Sequence, residues 1–186
     1  AKAKNITISC DLNFRKKLWS KEKAGQVMGE LCQYIDYCIA NEEDAKDVFG
    51  IEADNTDIYG GKLDREGYIS VAKKLTERFN FKGVAITLRE SKSANDNDWS
   101  GMLYTNGEAV FSKKYSMHIV DRVGGGDSFG GGLIYSLTNG FTAQAAIEFA
   151  VAASCLKHSI EGDYNMVSVA EVMNLAGGDA SGRVQR

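Results

Sequence analysis

An α/β fold, a doubly wound and mostly parallel sheet with helices on both faces, is what this sequence predicts. Strand-like runs rich in β-branched residues, such as Ile6-Thr7-Ile8-Ser9-Cys10 and Val84-Ala85-Ile86-Thr87-Leu88, alternate with stretches whose apolar residues recur at helical spacing. The second run is apolar almost throughout, as a parallel strand covered on both faces must be. With 186 residues and no internal repeat or linker, the chain reads as a single α/β domain over 1–186.

Each element has a local reason. The run from Ile6 ends at Asp11, so Asp11-Leu12-Asn13-Phe14-Arg15 lies just past a strand's C-terminal end, where open α/β sheets bind ligands. Ser20 can cap a helix whose Ala24, Val27, Met28, Leu31 and Ile35 form one apolar stripe. Tyr37-Cys38-Ile39-Ala40 is a short buried strand, and Asn41-Glu42-Glu43-Asp44 opens the next helix in a capping arrangement. Tyr68, Val71, Ala72, Leu75 and Phe79 mark another helix, ended by Gly83, and Ser91 to Ser100 is a polar loop. Asn106-Gly107, between two apolar runs, predicts an antiparallel hairpin with a type I′ turn. From Asp127, the set Phe129, Leu133, Ile134 and Leu137 predicts a helix ending near Asn139-Gly140. Thr142 to His158 is an alanine-rich helix sandwiched between neighbours, and Ser168-Val169-Ala170-Glu171 is a capping box before a glycine-rich, frayed tail.

Composition narrows the function. Lys+Arg 22 against Asp+Glu 25, with no basic block, argues against nucleic acid as a partner. The apolar runs are too short to span a membrane and the first residues show no signal-peptide core, so a soluble, cytoplasmic protein is expected. Cys10, Cys32, Cys38 and Cys155 lack metal-ligand spacing and sit in apolar stretches, which predicts reduced core thiols. Proline is absent, so chain breaks fall to Gly, Asn and Asp.

The densest chemistry lies in Val120-Asp121-Arg122-Val123-Gly124-Gly125-Gly126-Asp127-Ser128-Phe129-Gly130-Gly131-Gly132. Glycines before a helix let backbone amides converge on an anion, aided by the positive end of the helix dipole. A carboxylate there repels a phosphate, unless it takes a proton from a nucleophile attacking that phosphate. Asp127 therefore has two readings, a general base or a helix N-cap above a tight turn. The third Rossmann glycine and the Walker lysine are both missing. Gly126-x-Ser128-x-Gly130 has the spacing of a nucleophile elbow, yet the elbow needs a downstream His, and only His158 follows, inside an apolar helix.

Asp121 through Phe129 resembles the second signature of the ribokinase-like (PfkB) carbohydrate kinases, D-T-x-G-A-G-D-x-F. Asp11 to Arg15 with Leu18-Trp19, Thr87 to Ser91, and Lys157-His158-Ser159 to Gly162-Asp163 are similar to the 2-dehydro-3-deoxygluconate kinase branch. The resemblance implies ATP and Mg²⁺ as cofactors and a sugar acid as substrate, with ribose, fructose and nucleoside kinases sharing the chemistry. It makes Asp127 the base for the sugar hydroxyl and the amides of Gly124, Gly125, Gly126 and Asp127 the anion hole. It places Asn13, Thr87, Leu88, Arg89, Glu90, Ser91, Gly124 and Gly126 at ATP, and Arg15 and Asp163 on the substrate with Asp127. Asn41 and Asp44 fall on the family's N-x-x-E motif near Mg²⁺, with Asp for Glu, while Arg122 stands for Thr and Gly125 for Ala. The family's N-terminal strands and lid have no counterpart, so the chain is expected to be a C-terminal portion. Two expectations follow. Such a remnant would fold and bind nucleotide without turning over, and an opened sheet edge at Ile6 to Cys10 would favour self-association into a homo-oligomer.

Overall fold

Six strands form one mixed sheet with flanking helices in the computed structural model, which describes residues 1–41, 43–53 and 65–178. The strands are β1 (Ser9–Asp11), β2 (Tyr37–Asn41), β3 (Gly83–Ser91), β4 (Asp96–Thr105), β5 (Glu108–Phe111) and β6 (Tyr115–His118). Their order is β1-β2-β3-β4-β5, and β6 also pairs with β4. The chain divides into two compact units, Ala1–Leu88 with Met102–Val110, and Arg89–Gly101 with Phe111–Arg186.

In the first unit β1, β2 and the start of β3 are parallel, with Cys10 opposite Cys38 and Ile39 opposite Ala85. Cys38, Ile39, Ala40, Val84, Ala85 and Ile86 are buried, which explains the unbroken apolar runs. Helix α1 (Lys21–Leu31) starts where Ser20 accepts a hydrogen bond from the Lys23 amide, and it buries Ala24 and Met28. Its stripe continues through Cys32 and Ile35, while Leu31 is turned half out to solvent. Helix α2 (Asp44–Phe49) follows, and α3 (Arg65–Phe79) buries Val71, Ala72, Leu75 and Phe79. Gly83 does not end α3. Asn80 takes the left-handed conformation there, with φ 57°, and Gly83 opens β3, where a Cβ would lie 2.8 Å from the Tyr37 ring. The hairpin forms as expected, with Asn106 at φ 53° and Gly107 at φ 82°.

The second unit corrects the polar loop. Only 92–95 separate β3 from β4, so Asp96 to Ser100 is strand. The charges are paired across the sheet: Asp98 binds Lys92 at 2.5 Å and lies 3.7 Å from Lys114, and Asp96 meets His118 at 2.8 Å. Strand β6 supplies His118 and also Ser116, whose hydroxyl donates to Asp98, in antiparallel register with Asp96 and Asp98. Its polar and apolar residues alternate over only four positions, too short a signal for prediction. Helices α4 (Gly125–Thr138), α5 (Ala143–Lys157) and α6 (Val169–Ala176) complete the unit. Thr142 caps α5 through the Ala145 amide, and the capping box of α6 is fully formed. The α4 and α5 backbones approach closely, since a Cβ on Gly132 would lie 3.1 Å from Ala150 Cα. Residues Phe149 to Ser154 are buried, as a sandwiched helix requires. The last residues of the predicted frayed tail, 179–186, lie outside the described residues.

Candidate active site

Gly124 is the N-cap of α4, with φ 78°, and no side chain caps the helix. Asp127 therefore lies within the first turn, three residues after the cap, where its carboxylate is exposed and is not the helix N-cap as the turn reading supposed. The first helical bond is made by the Ser128 amide to the Gly124 carbonyl at 2.9 Å. The amides of Gly126 and Asp127 precede it, and neither makes a backbone hydrogen bond among the described residues. Two vacant donors at the positive end of a helix, beside an exposed carboxylate, can receive an anion and a proton respectively.

This turn rests on the end of α5. Ser154 Oγ donates to the Gly125 carbonyl at 2.7 Å, and the buried His158 ring packs on Gly125, where a Cβ would lie 2.4 Å from its Cε1. His158 Nδ1 is 2.7 Å from the Ser154 carbonyl. Burial above all, with the positive charges of Arg89, Lys157 and Arg122, holds the imidazole below its ordinary pKa. No hydrogen bond joins it to Ser128 among the described residues, so the elbow geometry of a hydrolase is not formed. Asp121 accepts from the Val123 amide and from the Gly162 amide, each at 2.9 Å. Those two bonds, with the Lys157 charge adding to them, hold its carboxyl below the usual range. Arg122 donates to the Ala94 carbonyl. Asp121 and Lys157 lie inside the quoted motifs without a support role read for them, and Ser154 lies outside every motif.

Asp121 also explains the place of Asp163. By fastening the Gly162 turn it brings the Asp163 backbone against Gly124, where a Cβ would meet the Asp163 carbonyl oxygen at 2.2 Å. Only glycine fits. Asp127 and Asp163 then border one cavity of about 350 Å³, floored by Tyr135, Phe149, Ala153 and Val172.

The remaining candidates divide between the units. In the first, Asn13 has φ 38° and its amide binds Asp11 Oδ1 at 3.0 Å. Asp44 holds this loop to the end of β2, since its carboxylate accepts from the Phe14 amide at 3.2 Å and the Asn41 amide at 3.1 Å. Asn41 returns the bond by accepting from the Asp44 amide at 2.9 Å. Burial raises the Asp44 carboxyl, partly offset by these bonds. Neighbouring Lys16 pairs with Asp47, whereas Arg15 is exposed and makes no ion pair among the described residues. Thr87 to Ser91 are not a loop but the end of β3: Thr87 is half-buried and Leu88 is in the core. In the second unit the Arg89 guanidinium lies 5.2 Å over the Trp99 ring and Glu90 pairs with Lys114.

A mixed α/β sheet with flanking helices thus places vacant amides and a carboxylate together at one helix start. The chain belongs to the pfkB family of carbohydrate kinases, whose family model matches residues 1–169. The structure of 2-dehydro-3-deoxygluconokinase from Thermotoga maritima is 50% identical, with a TM-score of 0.89 over 95% of this chain and 52% of its own. A PfkB family carbohydrate kinase from Listeria grayi is 32% identical, with a TM-score of 0.82 over 95% of this chain and 52% of its own. A 2-dehydro-3-deoxygalactonokinase of Haloferax volcanii is 29% identical over 176 residues, 94% of this chain and 48% of that protein. The chain thus spans about half the length of the relatives it matches.

Proposed function

We propose that this chain carries the phosphoryl-transfer site of an ATP-dependent sugar-acid kinase, acting on 2-dehydro-3-deoxy-D-gluconate to give its 6-phosphate. One observation carries the reading: the vacant Gly126 and Asp127 amides start the helix that also bears the exposed Asp127 carboxylate. Asp127 takes the proton of the terminal hydroxyl as that oxygen attacks the γ-phosphoryl group. The amides of the glycine turn receive the charge that develops on the transferred group. Asp163, across the cavity mouth, accepts a hydrogen bond from the sugar. Arg15, exposed and without an ion pair among the described residues, suits the carboxylate of a sugar acid. The similarity to a 2-dehydro-3-deoxygluconokinase and a 2-dehydro-3-deoxygalactonokinase supports a sugar acid over ribose or fructose.

No group of three or more His, Cys, Asp or Glu converges among the described residues, and both Asp44 oxygens are engaged by amides. Mg²⁺ fits here as an ion carried by the nucleotide's phosphates, with Asn41 at the end of β2 and Asp44 at the start of α2 as its protein candidates. A second reading is a fold that binds nucleotide without turnover. Incubating the purified chain with ATP, Mg²⁺ and the keto sugar acid separates the two. Sustained, sugar-dependent ADP formation supports the kinase, and nucleotide binding without it supports the second reading.

A further inference from the structure

Lys157 is fully buried at the last position of α5, and it has no carboxylate within ion-pair distance among the described residues. Burying an ammonium is costly unless its charge is used, so its surroundings are informative. Its Nζ donates to the Ile160 carbonyl at 3.0 Å, closing the turn that leads to Gly162 and Asp163. Its Cε lies beneath Gly124, 3.2 Å from where a Cβ would stand. Its charge reaches Asp121, which fastens the Gly162 turn to the turn before Gly124. The Lys157 stem thus lies against Gly124, the N-cap of α4, two residues before the first vacant amide.

We propose that Lys157 is a positioning cation for the anion site: its charge adds to the field at the Gly126 and Asp127 amides, and its hydrogen bond keeps the Asp163 turn in register with them. This rests on the reading of that turn as the phosphoryl site. A neutral donor of similar length would close the turn equally well. The choice of a buried cation is what an anion opposite the helix start explains.

The test titrates inorganic pyrophosphate into the purified chain and follows the Gly126 and Asp127 amide resonances. The variants are Lys157→Gln, a neutral donor one bond shorter, Lys157→Met, which matches the stem without a donor, and Lys157→Arg, which keeps the charge. Circular dichroism and thermal unfolding report the fold of each. The expected result is pyrophosphate affinity about tenfold lower in Lys157→Gln than in the parent, at unchanged fold and with affinity retained in Lys157→Arg. Equal affinity in the parent, Lys157→Gln and Lys157→Met would overturn the proposal while leaving the anion site intact. No response at either amide in the parent would overturn the anion site and the proposal together. Should Lys157→Met fail to fold, the Gln and Arg pair still decides whether affinity follows charge.

Discussion

Gly124, not Asp127, caps α4, and three residues on, within the first turn, the Asp127 carboxylate stays exposed. The proposed role as proton acceptor needs such a carboxylate. Asp127→Asn should lower phosphoryl transfer by about 10²- to 10⁴-fold while nucleotide affinity stays within about threefold. Transient-phase kinetics with a direct nucleotide-binding titration measures both. Unchanged turnover would remove Asp127 from the chemistry. Asp121 makes a second prediction at this scale. Its folded carboxyl is held below its unfolded value of about 3.9, so its stabilisation is full above that pH and is lost as pH falls through the folded value. The thermal midpoint of Asp121→Asn should lie below the parent's at neutral pH, and the gap should close in acid. A gap that is constant with pH would contradict the two amide bonds.

The turn between β6 and α4 is an element whose backbone, rather than its side chains, makes the site. Gly124→Ala would put a methyl against the Asp163 carbonyl at a φ of 78°. It should cost about 1–3 kcal/mol in urea unfolding and displace the Asp163 turn. A neutral substitution would show that the two turns are not in contact. Elements whose signals are local were legible in the sequence: the Ser20, Thr142 and Ser168 caps, the Asn106-Gly107 hairpin and the apolar stripe of α3 all stand where their residues place them. Strand β4 was hidden because its charged start is stabilised by partners on β6 some twenty positions away, which no local window contains. Asn80 was passed over for Gly83 because asparagine tolerates the left-handed region less freely than glycine, yet does so here. The glycine turn was visible as a ligand site from composition, but its supports were not. Ser154, Lys157 and His158 reach it from a different helix, and that contact exists only once α5 has packed.

For the whole molecule, membership of the pfkB family and a half-length match coexist. The sheet, the glycine turn and the Asp163 turn are all present. Among the described residues no helix is long and apolar enough to cross a membrane. What a kinase needs beyond this is exclusion of water from the sugar and nucleotide during transfer. The most direct measurement is therefore ADP formation by the purified 186-residue chain with saturating ATP, Mg²⁺ and 2-dehydro-3-deoxy-D-gluconate. Sustained, sugar-dependent turnover that disappears in Asp127→Asn is the predicted result. Absence of turnover, or equal turnover in Asp127→Asn, would contradict the assignment of this site as the one that transfers phosphate.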